Sequence, residues 1–389
     1  MAASFFFFFL LFGLLLPYLS PVLLDLGFSK SQTGLILSGF YFFNAIMPLL
    51  GGRLSDRFLS VDRLLRLDAL VLMALTPILW VFSDEAGLLF LLPLFLFGAA
   101  QAPVISLQDT LAMQVSGGDP KRYGHRRLVG SLGFIVSSIG MGYLVDRFGL
   151  RIFFPALVVA ALLFWLNSFF LPREIKPRQT RRQSPFWREL TGSWWLWLLA
   201  MMLHWLSFSP YHYGFTLLLI DSGISAEATG WYWSLGVLAE IGVFLASGWF
   251  FKRWHYRTLL LAAFAANLIR WLVIGLYPVA WVLGASQLLH GLGFGLFYAA
   301  AMQAISRFSQ QGNRASYQGL FSTCVGGVSA IVGSGLSGWL HEQMPIREVF
   351  LWILPLQAAG LVLLWLNPLK RQDPASELPQ TLQAERGRP

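Results

Sequence analysis

Residues 230–253, GWYWSLGVLAEIGVFLASGWFFKR, decide how the chain is read. The stretch is apolar almost throughout, yet Glu240 sits near its middle. As a helix rising about 1.5 Å per residue, it is long enough to cross roughly 30 Å of bilayer hydrocarbon. A charged side chain at that depth costs about 2.5–3.5 kcal/mol on insertion scales, so it is expected to face a cavity or a partner.

The same kind of stretch recurs along the chain. The sequence has 389 residues, 56% hydrophobic and 12% charged, with a mean hydropathy of +0.61. Twelve apolar runs are expected to span: 3–24, 32–52, 64–83, 87–113, 125–145, 151–171, 194–220, 226–251, 256–276, 279–305, 315–340 and 348–367. They lack the alternation of a barrel strand, so helices must satisfy the backbone in lipid. The expected fold class is an all-α membrane protein of twelve transmembrane helices. Span 1 is expected to break at Pro17 and Pro21, and span 7 at Pro210.

Charge sets the orientation. Of the 28 Lys and Arg residues, 23 fall in alternate loops and the tail, four lie on the other side (Lys30, Arg147, Arg151, Arg347), and Arg270 lies within a span. By the positive-inside bias both termini are cytoplasmic. The basic balance is therefore no nucleic-acid footprint, and Arg178, Arg181 and Arg182 suit anionic lipid. No basic residue precedes the Phe5 to Phe9 run and no small-residue cleavage site follows it, so span 1 is not read as a signal peptide. The one cysteine, Cys324, excludes an intrachain disulfide and is read as a packing residue. With no metal-ligand spacing and no Ser/His/Asp set at one depth, neither an enzyme nor a cofactor is expected.

Internal repetition gives the architecture. Asp25-Leu-Gly27-Phe-Ser29 through Thr33-Gly34 returns 196 residues later as Asp221-Ser-Gly223-Ile-Ser225 through Thr229-Gly230, with five identities in ten residues. An offset of 90 places Gly34 on Gly124 and Gly52 on Gly142; Gly319 is one residue off the fourth copy of Gly34. Spans 2, 5, 8 and 11 are thus equivalent, and three-helix repeats are inverted within each half. Two six-helix bundles are expected, 1–171 and 194–368, joined by a cytoplasmic linker over 172–193 and followed by a disordered cytoplasmic tail over 369–389.

Polar residues at the span ends and middles carry the chemistry. Asp56-Arg57 and Asp146-Arg147 follow Gly52 and Gly142, where a carboxylate can cap a neighbouring helix and pair with Arg. Each is read as a conformational clasp or as an interfacial charge. Span 4 carries Gln101, Pro103, Gln108 and Asp109, and Arg127 lies eighteen residues past Asp109 on the next span. That pair is a salt bridge at the inner rim or a substrate contact. Span 7 offers His204, Trp205, Tyr211, His212 and Tyr213, which suit a cavity for an aromatic solute or an interfacial belt. His204, nearer mid-span, is a cavity residue or an interhelical hydrogen-bonding one. Trp233, Val237 and Glu240 share a face, and Asn44 is the equivalent of Glu240 in span 2. Glu240, Arg270 and His290 lie within about 6 Å of mid-span by helix rise, and Gln287 is close by. Three titratable groups at one depth point to a proton site; Arg270 is partner to Glu240 or anchor for a substrate carboxylate, and His290 is relay or ligand contact.

Twelve spans, inverted repeats and the turn Gly52-Arg-Leu54-Ser-Asp56-Arg57 resemble the major facilitator superfamily, over nearly the whole chain up to about residue 368. Leu59 stands where the superfamily pattern has glycine, and the basic pair that follows is missing. Asp109 with Arg127, and an acid, an arginine and a histidine on spans 8, 9 and 10, resemble lactose permease-type proton symporters, although a second carboxylate on span 10 is absent here. Trp233-Ser-Leu-Gly-Val-Leu-Ala-Glu240, with Tyr213-Gly214-Phe215, Arg270-Trp271 and Leu289-His290, is similar to the 3-phenylpropionic acid transporter branch. The resemblance implies proton-coupled uptake of a small aromatic carboxylate by alternating access, by a monomer in a bacterial inner membrane. Substrate contacts are expected from Arg270, Asp109, Arg127, His204, Trp233 and Gln287. Uptake of nucleosides or oligosaccharides, drug or metabolite export, and a receptor without transport are the alternatives.

Overall fold

The structure, a computed structural model, describes residues 1–85, 87–174, 190–309 and 314–367. Most of the expected linker, with Arg178, Arg181 and Arg182, and the whole expected tail lie outside the described residues. Regular structure among the described residues is helical: α1 (Ala2–Asp25), α2 (Lys30–Arg57), α3 (Val61–Val81), α4 (Leu88–Gln101), α5 (Val104–Val115), α6 (Pro120–Phe148) and α7 (Phe153–Ser168) form the first half. The second half holds α8 (Gly192–Leu206), α9 (Ser209–Asp221), α10 (Ala226–Arg253), α11 (Tyr256–Leu276), α12 (Ala280–His290), α13 (Phe297–Phe308), α14 (Arg314–Phe321), α15 (Ser329–Gln343), α16 (Ile346–Trp352) and α17 (Leu354–Leu366). Among the described residues, eleven helical runs are long and apolar enough to cross a membrane. The remaining crossing is α8 with α9, interrupted at Ser207 and Phe208 ahead of Pro210 in the first turn of α9.

The repeated ten-residue turn has a physical reason at four of its five identities. Gly27 and Gly223 have φ of 91° and 76°, a left-handed conformation that glycine adopts without strain. There Phe28 N–H bonds Leu23 O and Ile224 N–H bonds Leu219 O, the six-to-one closure that ends a helix. Ser29 and Ser225 cap the next helices, their hydroxyls accepting from Gln32 N–H and Ala228 N–H. Such a cap contributes about 1 kcal/mol. Thr33 and Thr229 are fully buried. Gly34 and Gly230, the fourth pair, lie where the two halves touch.

Pro17 and Pro21 do not break span 1. α1 runs unbroken through both. In hydrocarbon a chain that leaves the helix must orphan several backbone groups, at several kcal/mol each, which outweighs the hydrogen bonds two prolines remove. α1 is also clamped by α6 and α7, so its path is set by packing. Spans 4, 7 and 12 are interrupted, ahead of or at Pro103, Pro210 and Pro355. Spans 10 and 11 carry π-helical turns, Gly291–Leu296 and Ser322–Val328.

The halves meet along α6 against α10 and α2 against α15. Both seams are closest at the end of the molecule that carries the repeated turns, here the distal end. A Cβ on Gly34 would lie 2.7 Å from Ser334 O, and one on Gly230 would clash with Ser138 O. Gly338 is pressed on Lys30 O and Gly142 on Ala226 O. Each contact in one seam maps on the other through the 196-residue offset, so the seams are related by a pseudo-two-fold. Toward the opposite end no residue of α10 beyond Gly236 is fully buried, and Leu245 is 73% exposed. The backbone-on-backbone contacts of both seams lie at the distal end, and the α2 seam continues inward to Ala45 against Gly327.

Candidate functional site

Four helices of the second half, α9 to α12, converge on a buried polar chain. Arg270 of α11 is 0% exposed. Its Nη1 lies 2.9 Å from His290 Nδ1, and its Nη2 donates to Gln287 Oε1 at 3.1 Å. Tyr211 Oη donates to the same Gln287 oxygen at 3.1 Å. The guanidinium lies 4.2 Å from the Tyr211 ring centre and 4.7 Å from that of Trp271. In a desolvated setting each such contact is worth about 2 kcal/mol, which helps retain a cation in the apolar core.

His290 carries the chain onward. Its Nε2 lies 2.7 Å from Glu240 Oε1, with Glu240 19% exposed. A guanidinium only donates, so His290 Nδ1 accepts from Arg270. The neutral ring then holds its proton on Nε2 and donates it to Glu240. Arg270 and Glu240 thus communicate through a neutral imidazole. A proton arriving at Glu240 has only Oε2 to occupy while this bond stands. The small residues beneath make the approach possible: Gly236 faces Gln287 and His290, and a Cβ on Gly291 would meet Ala239 O at 2.6 Å.

A second group faces this one from the first half. Tyr123 Oη donates to Asp109 Oδ1 at 3.0 Å, and Arg127 Nε stands 3.6 Å from the same oxygen. The Arg127 guanidinium lies 4.3 Å from the Phe9 ring centre, and its side chain is 32% exposed. Arg127 is within Coulombic reach of Glu240, and Asp109 and Arg127 of Tyr298 on α13. The cleft between the halves is therefore bordered by an accessible cation on one wall and a carboxylate on the other.

The other expected residues lie as follows. His204 is fully buried, with Nε2 2.9 Å from Gly293 O and Nδ1 3.1 Å from Gln357 Nε2, stacked on Phe264 and Phe297. Trp233 is 3% exposed and donates from Nε1 to Thr216. Gln101 bonds Asn44, the equivalent of Glu240, at 2.9 Å, and Gln108 bonds Ser4. Asp146 accepts from Ala226 N–H and Glu227 N–H, at 3.0 and 2.9 Å, while Arg147 lies over Tyr143. Arg57 is exposed at the end of α2; the side chain of Asp56, and with it the expected inner clasp, lies outside the described residues. Val237 keeps one face with Trp233.

Sequence reasoning missed several participants. Tyr211 and Tyr213, read as cavity or interfacial-belt residues, are buried; Tyr213 donates to Lys30 O across the halves and meets His341. Tyr298 gave no signal beyond being aromatic, and Tyr123 none beyond opening the stretch Tyr123-Gly124 that leads to Arg127. Glu342, which accepts from Ser31 N–H at 2.8 Å, was legible as the 196-residue counterpart of Asp146.

The sequence profile of the MFS_1 like family matches residues 1–352. The probable 3-phenylpropionic acid transporter of Escherichia coli (strain K12) is 29% identical over 92% of this chain and 94% of its own length. Maltose permease of Geobacillus stearothermophilus is 27% identical over 96% and 95%. A crystal structure of a mutant of the nucleoside transporter NupG superposes with a TM-score of 0.81 at 20% identity, covering 94% of this chain and 98% of that one.

Proposed function

The chain belongs to the MFS_1 like family of membrane transporters, and from that premise we propose proton-coupled uptake of a small aromatic carboxylate by alternating access. The observation that carries the reading is the Arg270–His290–Glu240 chain, which ends in a carboxylate at the cleft. The likeness to a probable 3-phenylpropionic acid transporter supports the substrate class.

In this reading Glu240 is the proton carrier. Arg270, sealed under Tyr211 and Trp271, serves as the fixed counter-charge that orients His290. His290 keeps one face of Glu240 occupied, so the proton enters and leaves from the cleft. Arg127, with Asp109 and Tyr123 beside it, takes the substrate carboxylate. Gln287 holds Arg270 and Trp233 backs Tyr211, while His204 braces the π-helical turn at Gly293. Residues 1–171 and 194–368 rock as two bundles in the cytoplasmic membrane, with both termini inside. In this reading the state is inward-open, with the distal side held by Asp146 and the glycine seams. Asp56 with Arg57 would close the other side.

The test is uptake in reconstituted vesicles with an alkaline interior. Labelled 3-phenylpropionate should accumulate uphill in wild type. Glu240→Gln should abolish uphill accumulation and spare exchange of labelled for unlabelled acid. Unchanged proton-driven accumulation by that variant would remove Glu240 from the mechanism.

A further inference from the structure

We propose that the ring of the transported acid is held in a slot made by Trp205, His212 and Phe294, the first two drawn from the span 7 aromatics and the third from the π-helical turn of span 10. The inference rests on the carboxylate-transport reading and adds the part that selects the substrate.

Five rings form one wall beside Glu240. Trp205 and Phe294 have centres 5.3 Å apart, and Trp205 and His212 6.2 Å. His212 stacks on Phe208 at 5.9 Å, and Phe294 on His290 at 5.4 Å. Phe208 is fully buried and backs the wall, while Trp205, His212 and Phe294 are each only half-buried. Phe294 lies one turn from both His290 and Tyr298, and Trp205 and His212 line up beside it. His290 holds Glu240, and Tyr298 is within Coulombic reach of Asp109 and Arg127 in the other half.

The π-helical turn accounts for the placement. An added residue in the turn re-aims the side chains around it, and such turns gather at functional sites. Gly291 is pressed on Ala239 and Gly293 on Asn267, leaving no room for side chains there. Phe294 is the large group of Gly291–Leu296 that reaches the wall. A flat ring entering beside it would meet offset and edge-on partners, while its carboxylate reaches toward Arg127. An aliphatic acid gains none of the ring contacts, which are each worth roughly three- to ten-fold in affinity.

The test compares binding of 3-phenylpropionate and hexanoate to the purified full chain. Wild type should prefer the aromatic acid. Trp205→Leu and Phe294→Leu should each weaken the aromatic acid roughly three- to ten-fold and leave hexanoate unchanged, while Trp205→Phe keeps most of the preference. Folded variants that retain the wild-type ratio would overturn the slot and leave the transport reading standing. Wild type that binds neither acid would overturn both. Should the leucine variants fail to fold, an aryl-azide acid photolysed on wild type decides the matter. Label on peptides holding Trp205 or Phe294 supports the slot, and label confined to other segments overturns it.

Discussion

Asp146 and Glu342 stand 196 residues apart in sequence and do the same thing in opposite halves. Asp146, at the end of α6, accepts from the first N–H groups of α10. Glu342, at the end of α15, accepts from Ser31 in the first turn of α2. Each carboxylate thus sits on the positive end of a helix belonging to the other half. Gly142 and Gly338, one turn earlier, allow the backbones to touch.

Removing both charges should loosen the distal closure. A carboxylate at an exposed helix N-terminus is worth about 0.3–1 kcal/mol, so the pair shifts the open-to-closed ratio by roughly three- to thirty-fold. Thr33 is fully buried behind one clasp. In a Cys324→Ser, Thr33→Cys background, Asp146→Asn with Glu342→Gln should raise labelling by an impermeant maleimide by that factor. High salt should mimic part of the effect, since both carboxylates are exposed.

Arg127→Gln should separate charge from shape. A hydrogen bond to a charged group contributes about 1.5–3 kcal/mol, so affinity for an aromatic acid should fall roughly ten- to hundred-fold. The neutral amide of the same acid should bind the variant and wild type alike. Equal loss for acid and amide would show that Arg127 acts on the fold rather than on the carboxylate.

Arg270 should behave as half of a buried pair. Arg270→Met strands His290 Nδ1 and removes the buried cation from the chain that ends in Glu240, a change that costs about 3–5 kcal/mol when one partner is removed. Combining it with Glu240→Gln should restore part of that loss. Thermal unfolding of the two single variants and the double variant measures the coupling, and additive losses would deny it.

His204→Leu should act on stability and not on binding. Both ring nitrogens are engaged and no part of the ring is exposed. The substitution leaves Gly293 O without this donor, costing about 1–3 kcal/mol. Denaturant midpoints should fall while the affinity of the folded protein for the aromatic acid stays constant.

By itself the sequence determined depth. Run length set the crossings, the Gly27 and Gly223 turns set the repeat, and helix rise put Glu240, Arg270 and His290 at one level in the bilayer. Tertiary structure decided direction around each helix axis. It turned His204 into packed rings while Trp205, one residue on, is half-buried against His212 and Phe294; it brought Tyr211 to Arg270; and it carried α1 unbroken through two prolines. The reason is that core and lipid are both apolar, so a spanning helix shows no polar stripe to mark its inner face. Which face turns inward is settled by contacts with helices far away in the chain, and a wide π-helical turn such as that at Gly291 re-aims everything beyond it.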